Sequence, residues 1–219
     1  MKDVIIVSGG NIQRDFALDF LQKNKKENVC LIAADKGVEF FIGTDWVPDV
    51  AVGDFDSLSS AGEEYLNTLK ETETVRLKPE KDDSDTQSAV NFAIDRGAKN
   101  ITIFGATGNR IDHLLANFGL LVLGRERGTE ITLIDQWNYM RLIESGTVLK
   151  KKEQFGKYVS FFSIEGDMPG LTLVGFKYPL DHYHLRASDS GLTVSNEIQA
   201  EEAVVSFDGK SLLMLMTRD

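Results

Sequence analysis

The sequence predicts an α/β fold joined to an all-β one: a parallel-sheet α/β domain over residues 1–136, then a smaller C-terminal β-sandwich domain over 137–219. Three observations predict it. Six short, mostly apolar runs punctuate the first part, as strands buried on both faces of a parallel sheet do. Segments between them space their apolar residues as helices do. After about Asp135 that periodicity disappears and short β-like runs replace it.

The first strand covers residues 4–8 (VIIVS) and runs into Gly9-Gly10. Runs at 29–34, 50–52, 74–77, 101–104 and 131–134 repeat the pattern. Ser60 with Glu63 has capping-box spacing ahead of an apolar stretch at 65–69. Ser84 with Gln87 repeats that spacing, followed by Ala89, Val90, Ala93 and Ile94, and Gly97 stands where the helix would end. A third helix spans about 111–125, with Leu114, Leu115, Phe118, Leu121 and Val122 on its apolar side. In the tail the β-like runs are 139–143, 158–164, 171–174, 192–194, 203–207 and 212–216. Asp208-Gly209 reads as a hairpin turn between the last two. Trp46 and Trp137 read as core or domain-junction aromatics, and Lys150-Lys151-Lys152 as a solvated turn.

Composition narrows the function. A formal net charge of −10 argues against nucleic acid or an anionic membrane as partner, since both are bound through basic surface. It leaves an anionic nucleotide open, because a bound cation reverses the local field. No apolar stretch is long enough to span a bilayer, and the residues after Met1 lead straight into a strand rather than a signal peptide. Cys30 is the single cysteine, so no internal disulfide forms, and its apolar neighbours read as those of a buried structural thiol. These features fit a cytoplasmic protein.

Three acidic signatures each follow an apolar run: residues 53–58 (GDFDSL), 81–87 (KDDSDTQ) and 105–113 (GATGNRIDH). In a parallel sheet all three reach the carboxyl edge, where such folds bind ligands. Asp54 and Asp56 are two apart and point to one side of an extended chain, although an Asp-rich turn before a helix looks the same locally. Asp82, Asp83 and Asp85 precede a helix beside Lys81; capping explains one or two acids, and Asp83 reads as a solvated neighbour. The glycine loop from Gly105 suits phosphate on backbone N–H groups, with Arg110 as a clamp and Asp112 within reach of the acids, yet it is neither a P-loop nor G-x-G-x-x-G. Asp35 ends the second strand in the same way. Crowded carboxylates repel unless a cation sits among them, and hard oxygen donors favour Mg²⁺ carrying a polyphosphate. Farther on, Tyr178 precedes a proline, and 188–197 (SDSGLTVSNE) is rich in small polar side chains suited to a heterocycle or to an ordinary turn. His182 and His184 read as exposed loop histidines.

In this order these residues resemble the thiamine pyrophosphokinase family, over nearly the whole chain. The features that match are Ala34-Asp35-x-Gly37, GDFDSL, Asp82-x-x-Asp85, Gly105 through Asp112, the aromatic at Tyr178, and Ser190-Gly191 leading to Ser195-Asn196. Lys36 and Val38 depart from the small residues common there, and Tyr178 stands where some members carry tryptophan. The resemblance implies a homodimer with a Rossmann-like ATP/Mg-binding catalytic domain, a thiamine-binding sandwich and a site completed across the subunits. It implies transfer of pyrophosphate from ATP to thiamine, giving thiamine pyrophosphate and AMP. Asp54, Asp56 and Asp85 would hold Mg²⁺, with Asp112 completing the catalytic group. ATP and its phosphates would meet Asp35, Lys81, Asp82, Gly105, Thr107, Gly108 and Arg110, and thiamine would meet Tyr178, Ser190, Ser195 and Asn196. A pyrophosphokinase for another hydroxymethyl heterocycle such as a pterin, a non-catalytic thiamine- or nucleotide-binding regulator, and a metal-dependent nucleotide hydrolase are the competing readings.

Overall fold

The computed structural model describes residues 2–24, 29–78, 83–189 and 191–219. The chain divides into two compact units, residues 1–136 and 137–219. Among the described residues no helix is long and apolar enough to cross a membrane.

Unit 1 is built on β1 (Asp3–Val7), β2 (Val29–Ala34), β3 (Val50–Gly53), β4 (Glu73–Arg76), β5 (Asn100–Phe104) and β6 (Glu130–Ile134). All pairings among them are parallel, in the order β4-β3-β2-β1-β5-β6. The chain winds outward from β1 to β4, then returns to lay β5 on the other side of β1. Strand order therefore reverses between β1 and β5, the place where doubly wound sheets open a crevice for ligand. Burial follows position in the sheet. Ile6, Ile32 and Ile103 pair across the three central strands with no exposed surface, whereas edge strand β4 is mostly exposed.

Among the described residues four α-helices flank the sheet: α1 (Arg14–Asn24), α2 (Ser60–Thr68), α3 (Asp85–Asp95) and α4 (Ile111–Glu126). Helix α1 is one that the sequence reading passed over. It is held by Phe16 and Phe20, whose rings lie 6.2 and 5.2 Å from that of Phe104 on β5. Helix α2 is capped one residue earlier than expected: Ser59, not Ser60, accepts from the Gly62 N–H at 3.2 Å. The acid that a capping box places inside the helix comes instead from Glu39, which accepts from the Ser59 N–H at 2.6 Å. Glu39 belongs to a 3-10 helix, Asp35–Phe41, that follows β2 directly. Ser84 caps α3 as expected, and Gly97 closes it with a positive φ and paired bonds, Gly97 N–H to Ile94 and Ala98 N–H to Ala93. Helix α4 buries Asn117, Leu120, Leu121 and Gly124, while Leu115 of the expected face is 62% exposed. Two features turn the helix: Gly124 lets it approach Ile131 of β6, and Asn117 donates inward to the Ala106 carbonyl at 2.8 Å.

Unit 2 holds β7 (Asn138–Ile143), β8 (Thr147–Lys150), β9 (Tyr158–Phe162), β10 (Met168–Val174), β11 (Leu180–Leu185), β12 (Glu202–Ser206) and β13 (Leu212–Thr217). One antiparallel layer is β7-β13-β9 and the other is β11-β10-β12-β8. Their inward side chains, among them Phe161, Met214, Leu171, Leu173 and Val205, form a single sandwich core. Several expectations are corrected here. β12 and β13 belong to different layers, so Asp208-Gly209 is a crossing between layers and not a hairpin. Residues 192–194 form a turn, because the Thr193 hydroxyl donates to the Phe161 carbonyl and Ser195 takes a positive φ. His182 and His184 lie on strand β11, exposed as expected but beside Asp181 and Asp167. Lys150 ends β8 and Lys151 and Lys152 continue into a 3-10 turn, while Trp137 is 48% exposed and not a core residue. Cys30, in unit 1, is half-buried on β2, and burial first, then the nearby Asp49 charge, pushes its thiol up to about 11.

Candidate functional site

At the switch point two glycine turns meet. The Gly10 N–H donates to the Gly105 carbonyl at 3.2 Å and the Ser8 N–H to the Phe104 carbonyl at 2.9 Å. A Cβ on Gly10 would collide with the Gly105 oxygen, and one on Gly105, whose φ is +71°, with the Ser8 oxygen. Only glycines let these two backbones touch. The loop after β5 is fixed further by Asn11 Nδ2 to Asn109 Oδ1 at 2.9 Å and by the Thr107 hydroxyl, which donates to Asp135 at 2.5 Å. Gly105, Thr107 and Gly108 therefore stand together at the crevice. Arg110 stands at the head of α4, where it grips Asp112 through Nε and Nη2 at 3.1 and 2.5 Å. That grip, more than the additional N–H from His113, holds the Asp112 carboxyl down to about 2.

The acids gather one strand further out. Among the described residues, Asp35, Asp54 and Asp56 each offer a carboxylate oxygen, and these oxygens all lie within 4.8 Å of one another. Asp35 follows β2 and takes a left-handed φ of 48°, a conformation that Asp tolerates. Gly53 makes room for it: a Cβ there would stand 3.0 Å from the Asp35 Cα. Phe55, also left-handed at φ 63°, is buried under the Arg76 guanidinium and separates Asp54 from Asp56. The Asp56 N–H turns back to Asp54 Oδ1 at 3.2 Å. Asp35 Oδ2 accepts from the Ser57 hydroxyl, whereas Asp35 Oδ1 is buried with no hydrogen-bond partner among the described residues. The mutual repulsion is visible at Asp56, whose carboxyl is raised first by the charge of Asp54, then by burial, Asp35 and Asp85. A buried carboxylate oxygen without a donor, inside a repelling trio, is what a hard cation satisfies.

Asp85, the first residue of α3, reaches this group through its charge and is outside the 4.8 Å trio, as is Asp112. Asp83 is committed to its own helix, accepting from Gln87 Nε2 at 2.6 Å and Asn91 Nδ2 at 3.1 Å. Lys81 and Asp82 lie outside the described residues, and so does Ser190. Sequence reasoning passed over Ser57 and Asp135. Asp135 had a signal, since it ends the apolar run at 131–134 as Asp35 ends its own.

In unit 2, Tyr178 is 55% exposed. Asn196 is buried and turned to the main chain: its Oδ1 accepts from the Tyr178 and Glu197 N–H groups, each at 2.9 Å, and its Nδ2 donates to the Tyr178 carbonyl at 2.8 Å. Asn196 thus positions Tyr178 within the fold. Ser195 is tied by its N–H to the Ser160 hydroxyl at 3.0 Å.

Comparison with known proteins gives a consistent result. Two family profiles match, one described as thiamin pyrophosphokinase, catalytic domain, over residues 21–133, and one as thiamin pyrophosphokinase, vitamin B1 binding domain, over 146–212. The thiamine pyrophosphokinase of Bacillus subtilis (strain 168) is 33% identical over 222 residues, covering 100% of both chains. A crystal structure of the Bacillus subtilis enzyme superposes with a TM-score of 0.87 at 32% identity over 100% of both chains. That of thiamin pyrophosphokinase from Geobacillus thermodenitrificans gives 0.84 at 29%, over 99% of this chain and 97% of the other. Yeast thiamin pyrophosphokinase gives 0.81 at 12% identity, over 99% of this chain and 86% of the other, a likeness of fold alone.

Proposed function

The chain belongs to the thiamin pyrophosphokinase family, and on that premise we propose how its own residues carry out the transfer of pyrophosphate from ATP to thiamine. The enzyme is an ATP-dependent transferase. The primary hydroxyl oxygen of thiamine bonds to the β-phosphorus, the bond from that phosphorus to the α,β-bridging oxygen breaks, and AMP leaves with that oxygen. Such transfers depend on alignment and charge neutralisation more than on covalent help.

The observation that carries this reading is the trio of Asp35, Asp54 and Asp56 with its unpartnered buried oxygen. Asp54 and Asp56 would hold Mg²⁺ with Asp35, and Asp85 would add its charge from the head of α3. The cation would supply neutralisation of the phosphate oxygens. A carboxylate of the group takes the proton from the attacking hydroxyl. Gly105, Thr107 and Gly108 seat phosphate against the crevice, and Asp112 aims Arg110 at it. Asn196 presents Tyr178, whose exposed ring suits the cationic thiazolium of thiamine. A homodimer, which the resemblance to the family implies, is part of the same proposal.

The test is AMP formation by purified protein given ATP and Mg²⁺, with and without thiamine. Thiamine-dependent AMP with equal thiamine pyrophosphate is expected. AMP independent of thiamine would make the protein a hydrolase, and AMP only with a pterin alcohol would move the acceptor.

A further inference from the structure

The crevice continues in unit 1, at the carboxyl ends of β1 and β2, into a concavity of about 250 Å³. Its floor is main chain. A Cβ on Gly37 would collide with the Val7 carbonyl oxygen, one on Gly10 with that of Gly105, and one on Gly9 would lie 2.9 Å from the Lys36 Cβ. Phe40 forms a wall, and Arg14 and Lys36 line the opening. Arg14 is held in place by donating to the Ile42 carbonyl, with its guanidinium 6.0 Å from the Phe40 ring. Lys36 is exposed and follows Asp35 directly. Glu39 also lines the cleft, but its carboxylate is engaged by the Ser59 N–H at 2.6 Å.

We propose that this cleft seats phosphate groups of the nucleotide, held by Lys36 and Arg14 over the glycine floor. The inference rests on the pyrophosphoryl-transfer reading and assigns a phosphate contact beyond the loop after β5. Three features carry it. Two cations face one occupied carboxylate, so the cleft is net positive while the neighbouring trio is strongly negative. The loops after β1 and β2 pack backbone on backbone through their glycines, which fixes where the two cations stand. Pockets that enclose a whole ligand run to about 300–1,000 Å³. This one is smaller and takes a diphosphate-sized group with the nucleoside outside it. The Lys36 ammonium, a mobile point charge, suits that role.

Isothermal titration calorimetry of the full chain in Mg²⁺ buffer, without thiamine, tests it with tripolyphosphate, ATP and adenosine as probes. Lys36→Gln is expected to weaken tripolyphosphate and ATP about tenfold and leave adenosine unchanged, and Lys36→Arg to come back to within about twofold of wild type. Glu39→Gln keeps an acceptor for Ser59 and removes the opposing charge, so it is expected to tighten tripolyphosphate about threefold. Opposite signs at two lining residues are not what a merely structural role gives. Unchanged tripolyphosphate affinity in a Lys36→Gln protein with wild-type melting overturns the proposal. So does a loss confined to adenosine, or no tripolyphosphate binding by wild type. The acceptor reading fails separately, in the AMP assay. If it fails while both signs hold here, the seat stands for another phosphate substrate.

Discussion

The Asp56 carboxyl is raised because Asp54 is already charged beside it, with Asp35 and Asp85 adding to the effect. The folded state therefore binds this proton more tightly than the unfolded chain does. Stability from this group is present in acid and falls as pH rises through the window between the ordinary carboxylate value and the raised one. At neutral pH the group opposes folding while serving the reaction. Asp56→Asn is thus expected to lower kcat/KM on the order of a hundredfold or more. The same variant, freed of metal, is expected to melt at or above the wild-type temperature, with a gap that widens from pH 4 to pH 7. Steady-state kinetics and thermal unfolding of one preparation check both halves, and a metal-free variant that melts lower overturns the repulsion account. Asp112 runs the other way. Its carboxyl is held down to about 2 by Arg110, so the clamp contributes above the ordinary range and is lost only as pH falls toward that value. An acid limb in the rate profile well above that value therefore does not come from the clamp.

Helix α3 places Asp85 at the head of its first turn, and the Ser84 hydroxyl fixes that turn by accepting from the Gln87 N–H at 3.1 Å. Ser84→Ala is expected to cost about 1 kcal/mol, which for a chain of this size lowers Tm by about 2–4 °C. Differential scanning calorimetry reads the shift, and an unchanged Tm would mean the cap contributes nothing here. This element was legible in the sequence because its signals are local: a capping serine, apolar residues at helical spacing, and a closing glycine. The central parallel strands were legible for a related reason, since burial on both faces leaves few polar positions. What was not legible depends on contacts distant in sequence. Glu39 completes the cap of α2 from another element. Leu115 is apolar yet exposed, because the turn of α4 is set by Gly124 against Ile131 and by Asn117. The segment 192–194 alternates like a strand and is a turn because Thr193 is bonded to β9. In the site, Asp54 and Asp56 stood out in GDFDSL. The place of Asp35 beside them did not, since that follows from β2 and β3 being neighbours.

At the scale of the molecule, on the function proposed above, a net charge of −10 and a sheet edge lined with acids would make nucleotide binding depend on a cation rather than on the overall field. The homodimer proposed above is expected to show as a light-scattering mass twice the chain's 24.4 kDa at micromolar concentration, and a monomeric mass in an active preparation would rule out a site shared between subunits. The half-buried thiol of Cys30 has a further consequence for the whole molecule. With a pKa near 11, roughly one in ten thousand folded chains carries the thiolate at pH 7, against a few per cent of unfolded ones. The chain's one thiol is therefore nearly silent toward oxidants and alkylating reagents while the central sheet is intact, and wakes when that sheet opens. Chemical damage at this position would thus accumulate as a record of how often the protein has come apart.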